Sequence, residues 1–367
     1  MNIPLVDLAA QHRQIADEVA AGFASVMANT SFILGKEVKQ FETAFAEFVG
    51  AKHCIGVGSG IDALEFALRA AGIGRGDEVI VQANTFVATP LAVERAGATP
   101  VLVDCEPVHY MLDIEQVGNK ITARTRAVMP VHLFGQVAPM ERLQPLAEKH
   151  GLKIIEDLAQ AQGARRNGRS AGSFGDAGGT SFYPGKNLGG YGDGGAVTTS
   201  SDALAAKVRA LRNYGSEVKY QHPETGYNSR LDTLQAVVLL AKLKRLATWN
   251  EERRQAARRY DELLAGIEGI TLPGVDAGNE HVFHLYVLRV PHRDEVFKKM
   301  NAEGIGATIH YPIPVHLHGA FDHLGLGPGS FPVAEKAASE ILSLPIFPGI
   351  TVEQQTRTVD SLRRALS

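Results

Sequence analysis

The sequence predicts an α/β protein in two parts: a large domain on a mostly parallel, doubly wound sheet, then a smaller C-terminal α+β domain. The first part takes in residues 1–240, including an N-terminal segment, and the second residues 241–367. Three observations carry this. Between about residues 50 and 240, short apolar runs alternate with longer stretches of helical period. Residues 231–264 read as one long helix, apolar on one side at first and strongly charged in its second half. Beyond it, a strand and three helical segments follow without that alternation. At 367 residues the chain is long enough for about two domains and a sizeable core.

In chain order, residues 13–27 and 36–49 are helical. The second of these places Val38, Phe41, Phe45 and Phe48 at helical spacing, so these side chains are most simply core. Apolar runs at 53–57, 78–81, 100–103, 127–133 and 153–155 read as strands, with helices at 61–71, 86–96 and 140–150 between them. Continuous apolar runs suit strands buried on both faces, and the intervening helices imply parallel crossovers. Ligands of such sheets lie outside the carboxyl ends of the strands. The C-terminal part has a strand at 283–290 and helices at 294–303, 333–342 and 352–366. Between them the irregular stretch 311–332 is a candidate binding loop.

Composition narrows the function classes. An apolar share of 45% with 21% charged residues is that of a folded globular protein. The net charge of −3 gives no electrostatic footprint for nucleic acid or an anionic membrane. Cys54 and Cys105 lie in apolar runs and read as reduced core residues, which fits a reducing compartment. Residues 1–7 lack the basic region and apolar core of a signal peptide, and no apolar run reaches the roughly 18 residues of a membrane span. A cytoplasmic protein is expected.

Chemistry concentrates in three stretches. In residues 179–197 one lysine, Lys186, sits among glycines and small polar residues, with Phe182 and Tyr183 before it and a β-like exit at 196–199. A lysine that must lose its proton and attack a carbonyl benefits from such a tight, partly desolvated loop. An ordinary solvated lysine on a glycine-rich loop is the alternative. In Gly56-Val57-Gly58-Ser59-Gly60-Ile61-Asp62, a strand end opens a helix, and N–H groups there suit a phosphate; a simple tight turn is the alternative. A dinucleotide site fits less well, because the spacing is G-x-G-x-G and no acid ends the next strand, which closes on Gln82. In Ile154-Ile155-Glu156-Asp157, two carboxylates end a buried strand, where an unpaired charge is costly. Asp157 is the candidate to pair with a protonated pyridine nitrogen. Glu156 points to the opposite face and reads as a surface carboxylate capping the next helix.

These stretches, with Asn84-Thr85-Phe86-Val87-Ala88-Thr89, Ser181-Phe182-Tyr183-Pro184-Gly185-Lys186-Asn187 and Tyr227-Asn228-Ser229-Arg230-Leu231-Asp232, occur in an order that resembles the DegT/DnrJ/EryC1/StrS family of pyridoxal-phosphate-dependent sugar-nucleotide aminotransferases. The resemblance covers essentially the whole chain and implies an aspartate-aminotransferase-type (fold type I) large domain. It implies that Lys186 bonds the cofactor, pyridoxal 5'-phosphate cycling with its amine form, and shuttles the proton. Asp157 then partners the pyridine nitrogen, and Gln160 lies close to the ring oxygen and phosphate. Phe86 stacks on the ring; Ser59, Gly60, Ile61 and Ser181 sit at phosphate-binding positions. Asn228 reaches the phosphate of a neighbouring subunit, so a homodimer with shared active sites is implied. Many members have a hydroxyl residue where this chain has Ile61, which leaves Ile61 a backbone contact.

The implied reaction takes an amino group from L-glutamate and gives it to a keto-sugar nucleotide in amino-sugar biosynthesis. Arg230 is the candidate clamp for the donor carboxylate, with a helix-start salt bridge as the alternative. The run 183–189 with Gly192-Asp193-Gly194-Gly195 resembles members that aminate a 3-keto (6-deoxy)hexose. A 4-keto sugar and a 3-keto uronate are the alternatives. Tyr183, Tyr191, His310, Tyr311 and His316 are candidates for the sugar site, and His132 is left with the core. The related sugar dehydratases carry histidine at the lysine position, so Lys186 argues against that chemistry. A sensing role would predict a basic helix-turn-helix, which the N-terminal part lacks. A nucleotide-dependent oxidoreductase is the fallback.

Overall fold

The computed structural model describes residues 2–216, 218 and 220–367. Its N-terminal helices are α1 (Leu8–Arg13), α2 (Ala16–Asn29) and α3 (Lys36–Val49). The helix expected at 13–27 is α2, and a break at Gln14 and Ile15 separates it from the short α1 that precedes it, the two meeting at an elbow. Glycine brackets α3 at both ends, and Gly50 takes the left-handed conformation that ends a helix cleanly.

The alternating region follows as β1 (His53–Val57), α4 (Gly60–Ala70), β2 (Glu78–Gln82), α5 (Ala88–Ala96), β3 (Thr99–Val103), α6 (Ile114–Lys120), β4 (Thr125–Met129), α7 (Met140–His150) and β5 (Lys153–Asp157). After two short strands, β6 (Arg165–Arg166) and β7 (Arg169–Ser170), come β8 (Ala177–Ser181), β9 (Gly195–Thr199) and α8 (Asp202–Leu211). Seven strands form one sheet in the order β1-β9-β8-β5-β4-β2-β3. The pairs β2/β3, β2/β4, β4/β5 and β5/β8 are parallel; β9 alone runs antiparallel to both neighbours. β8 and β9 pair Ser181 with Gly195, so the lysine loop is the connection of a wide hairpin at the carboxyl end of β8.

The long helix is α9 (Thr233–Leu264). Its first half packs Ala236, Leu239 and Leu246 against Phe41, Phe45 and Phe182. Its second half sends Ala256, Ala257, Tyr260 and Leu264 into a separate core with Tyr286, Met300, Leu344 and Leu362. The short β10 (Asn279–Glu280) pairs with β6, and the separate core is built on β11 (Tyr286–Arg289), α10 (Arg293–Ala302), β12 (Ile341–Leu344) and α12 (Val352–Leu366), while α11 (Pro332–Glu340) buries Ala334 and Ala337 in the core of the large sheet. Val315, Phe321, Phe331 and Ala334 lie instead in the core around the seven-stranded sheet. The stretch from 311 onward therefore returns to the large sheet, carrying 3₁₀ turns at Val315–Leu317 and Gly319–Leu324. Cys54 and Cys105 are buried free thiols. No helix among the described residues is long and apolar enough to cross a membrane.

Candidate active site

Lys186 is mounted by its flanks. Phe182 is fully buried, edge-on to Phe41 and Phe45, and its N–H donates to the Gly194 carbonyl at 2.8 Å. On the other side Asn187 Nδ2 donates to Asn250 Oδ1 at 2.9 Å and to the Val282 carbonyl at 3.2 Å. Its Oδ1 lies 3.1 Å from His284 Nδ1. The Lys186 N–H donates to the Tyr183 carbonyl at 2.9 Å, closing a turn. Anchors on both sides fix the backbone from which the Lys186 side chain starts, which suits a nucleophile that must meet one carbon.

Burial lowers the Lys186 pKa to about 8, and the charge of Asp157 opposes that shift. His310 and His284 are held well below the usual histidine range by burial and then by the Lys186 charge, so neutral imidazoles face the ammonium. Asp157 is 6% exposed. Its Oδ2 accepts from the Thr89 hydroxyl at 2.8 Å, its Oδ1 from the Ala159 N–H at 3.1 Å, and Thr89 is itself paired with Thr85 at 2.8 Å. Burial raises its pKa more than these contacts lower it. Such a carboxylate gains most from a cation brought against it.

The other face of the cleft is aromatic. Phe86 is 49% exposed, and its ring lies 5.2 Å from that of Tyr311. Gln160 donates to the Tyr311 hydroxyl, and His310 Nδ1 lies 2.8 Å from Ser343 Oγ. At the cleft floor α4 begins: Ser59 accepts the Asp62 N–H on its side chain, and the N–H groups of Gly60 and Ile61 precede any i−4 acceptor. A Cβ on Gly179 would meet Leu64 Cδ2 at 2.6 Å, so glycine in β8 lets α4 lie directly on the strand. The same closeness puts Gly60 against Ser181, where an added Cβ would be 2.6 Å from the serine Cβ. Free donors at a helix start beside a serine hydroxyl fit a phosphate.

Two readings are corrected. Glu156 is not on the surface: it is fully buried, accepts from the N–H groups of Gly172, Phe174 and Gly175 at 2.7–2.8 Å, and pairs with His132 at 2.8 Å. His316 does not line the cleft. Its side chain is wholly buried, edge-on to Phe331 and 2.9 Å from Glu335, because Val315 draws that turn into the sheet core. Among the described residues Arg230 has no helix-start salt bridge: it binds the amide oxygens of Asn213 and Asn228 and lies over the Tyr214 ring. Asn228 is exposed. Tyr183 and Tyr191 are 60% and 39% exposed. Thr85, Asn187 and His284 were not singled out by sequence, since a threonine, an asparagine and a histidine carry no chemistry until their neighbours are known. No group of three or more His, Cys, Asp or Glu among the described residues is placed to hold a metal.

A lysine on the β8–β9 connection, a buried aspartate ending β5, and a glycine-opened helix before them belong to the fold-type I class of pyridoxal-phosphate aminotransferases. Residues 13–363 match the DegT/DnrJ/EryC1/StrS aminotransferase family, and the chain belongs to it. It is similar to the UDP-N-acetyl-3-dehydro-alpha-D-glucosamine 3-aminotransferase of Acidithiobacillus ferrooxidans, 47% identical over 364 residues, 99% of this chain and 98% of that protein. The dTDP-3-amino-3,4,6-trideoxy-alpha-D-glucose transaminase of Streptomyces venezuelae is 46% identical over 361 residues, 98% of this chain and 95% of its own. The crystal structure of S. venezuelae DesV in complex with a ketimine intermediate superposes with a TM-score of 0.97 at 46% identity, covering 100% of this chain and 99% of that one.

Proposed function

We propose that this protein moves an amino group from L-glutamate to the 3-keto group of a nucleotide-linked hexose, using pyridoxal 5'-phosphate joined to Lys186. The observation that carries it is the placement of Lys186, on the loop that leaves the carboxyl end of β8, beside the buried Asp157 that ends the neighbouring β5. When bound, the cofactor supplies the carbonyl that takes up the amino group and the cationic ring that receives the electron pair left on the substrate carbon. Asp157 stabilises the ring's N–H⁺, and Thr89 with the Ala159 N–H keeps the carboxylate aimed. Phe86 supplies a flat face for the ring. Gly60, Ile61 and the Ser59 and Ser181 hydroxyls hold the phosphate, with Gln160 on the wall beside it. Lys186 Nζ takes the proton from the donor's α-carbon and returns it to the product side.

The 3-keto preference rests on the two relatives described above, whose names place the amino group at C3. The candidates for the sugar are Tyr183, Tyr191, His310 and Tyr311, and Arg230 is the candidate for the donor carboxylate. A homodimer with Asn228 serving the partner's site is supported by an apolar patch at that residue. Phe32 and Ile33 are 46% and 51% exposed, and their segment pairs with Asp232 and Thr233 just beyond Arg230. Tyr214, under Arg230, adds a second exposed ring. Reconstitution with pyridoxal phosphate, followed by visible absorption before and after L-glutamate, tests the reading. A cofactor band that glutamate bleaches supports it; a protein that gains no band overturns it. Product analysis with 3-keto against 4-keto sugar nucleotides then tests the carbon.

A further inference from the structure

Asn250 stands where α9 passes from one core to the other. One turn before it Leu246 lies in the core with Phe41 and Phe182, and from Ala256 onward the helix belongs to the second core. Nearly one turn after it Arg253 donates to the carbonyls of Phe283 and Ile346. Asn250 is 3% exposed, so its amide must find its hydrogen bonds inside the protein. Oδ1 accepts from Asn187 Nδ2 at 2.9 Å, and Nδ2 donates to the Gln162 carbonyl at 2.9 Å. The backbone is shaped around this amide: Gly163 has a φ of +89°, and an added Cβ there would lie 2.7 Å from Asn250 Nδ2. Glycine at 163 thus meets two demands, a left-handed turn and the close approach of the α9 side chain.

The two bonds lead to opposite ends of the segment that carries the reactive lysine. Asn187 follows Lys186 directly. In the other direction Gln162, fully buried, sends Nε2 to the Ser181 carbonyl at 2.8 Å and to the Thr180 hydroxyl at 3.0 Å. Between these ends the chain is closed by the Tyr183 N–H on Ser181 Oγ at 3.2 Å and the Lys186 N–H on the Tyr183 carbonyl at 2.9 Å. One amide from α9, with Gln162 beyond it, therefore spans from Ser181 to Lys186 and holds the two at a set distance. In pyridoxal 5'-phosphate the aldehyde and the phosphate arm leave neighbouring carbons of one rigid ring. A protein that holds both must present its amine and its phosphate donors at a matching separation. When they match, the second contact forms as an intramolecular event; when they do not, the gain from joining the two contacts is lost.

We propose that Asn250 is a positioning residue for the cofactor, setting the separation of Lys186 from Ser181 so that one molecule meets both. This role rests on Lys186 bonding the aldehyde and Ser181 holding the phosphate arm, and extends that site to a helix residue that acts through Asn187 and Gln162. Because α9 runs on into the second core, the same amide ties the spacing of the site to the packing of the two cores against one helix.

The test compares three ligands on the cofactor-free protein by absorption and calorimetric titration: pyridoxal 5'-phosphate, pyridoxal, which has the aldehyde without the phosphate, and pyridoxine 5'-phosphate, which has the phosphate without the aldehyde. In the parent, pyridoxal 5'-phosphate should bind at least about a hundredfold tighter than either partial ligand. Asn250→Leu, of similar volume, removes both hydrogen bonds and leaves Lys186, Ser181 and the start of α4 unchanged in sequence; Asn187 Nδ2 keeps the Val282 carbonyl. It should weaken pyridoxal 5'-phosphate at least about tenfold, with both partial ligands within about threefold of the parent. An unchanged affinity for pyridoxal 5'-phosphate overturns the proposal. Equal weakening of all three ligands, the mark of a merely loosened site, overturns it too. If Asn250→Leu does not fold, Gln162→Met, which cuts the span at the Ser181 carbonyl, carries the same expectation and the same overturning results. A parent that gains no band with pyridoxal 5'-phosphate overturns the aminotransferase reading and this role with it, whereas a parent that gains the band beside a variant that keeps its full affinity overturns the role of Asn250 alone.

Discussion

Gln160 donates its side-chain N–H to the Tyr311 hydroxyl at 2.8 Å, across 151 residues of sequence, while its oxygen accepts the Phe134 N–H at 2.7 Å. This bond ties the loop after β5 to the returning C-terminal stretch, and holds the Tyr311 ring near Phe86. Tyr311→Phe keeps the ring and strands the Gln160 amide. The expected cost is about 1–3 kcal/mol of stability, from one partly buried donor left unpaired. A fall of about tenfold in kcat/KM for the keto sugar, with the glutamate half-reaction less affected, would place the pair on the substrate wall.

Lys186 should titrate near 8. Its neutral, nucleophilic form grows as pH rises, so the cofactor-free protein should react with pyridoxal phosphate about tenfold faster per pH unit up to 8 and then level off. The same shift has a stability sign. The folded value lies below the ordinary 10.5, so between about 8 and 10.5 the unfolded chain binds more protons, and this group's contribution to stability rises with pH through that window. Lys186→Ala should lose that rise, the cofactor band and glutamate turnover together. Urea denaturation of the cofactor-free protein across the window is the check.

The Thr89 hydroxyl bonds the Asp157 carboxylate and opposes the rise that burial gives its pKa. Thr89→Val removes that hydroxyl at nearly constant volume, so the carboxyl should shift further up and serve the ring less well. About a tenfold loss in kcat is expected, and a loss of about a hundredfold or more for Asp157→Asn. Rapid-scan absorption during the glutamate half-reaction separates this from weaker cofactor binding.

Glu156 is a structural acceptor. Its oxygens take three backbone N–H groups and pair with His132. Glu156→Ala leaves these buried donors without an acceptor and should cost about 3–5 kcal/mol. Glu156→Gln, which keeps one acceptor oxygen, should cost less. Denaturant midpoints for the two variants give the comparison.

If Asn228 serves the partner's site, Lys186→Ala and Asn228→Ala proteins should each be poor enzymes and complement one another. Mixed dimers contain one site with both changes and one with neither, so refolding the two together should recover about a quarter of parental activity. No recovery would place both residues in the same subunit's site.

Much of this was legible in the chain because its causes are local. Glycine at both ends marks α3, a 3.6-residue period marks the length of α9, and continuous apolar runs mark the parallel strands. Lys186 and Asp157 stood out because a lysine among glycines and a carboxylate at the end of a buried strand each need a reason within their own few residues. The direction of β9 was not legible, since strand period is the same whichever way a neighbour runs, and only the return of the lysine loop makes that strand antiparallel.

Side chains whose meaning is a partner were harder. Glu156 reads as a surface acid until the segment at 172–175 folds over it. His316 reads as a loop histidine until Val315 is seen in the core. Periodicity and turn chemistry act over neighbouring residues, so sequence order alone carries the elements, the cofactor lysine and its aspartate. Burial and pairing act between residues distant in the chain, so the partners of Thr89, Glu156 and His316 are met only once the strands and the segments that cover them are packed.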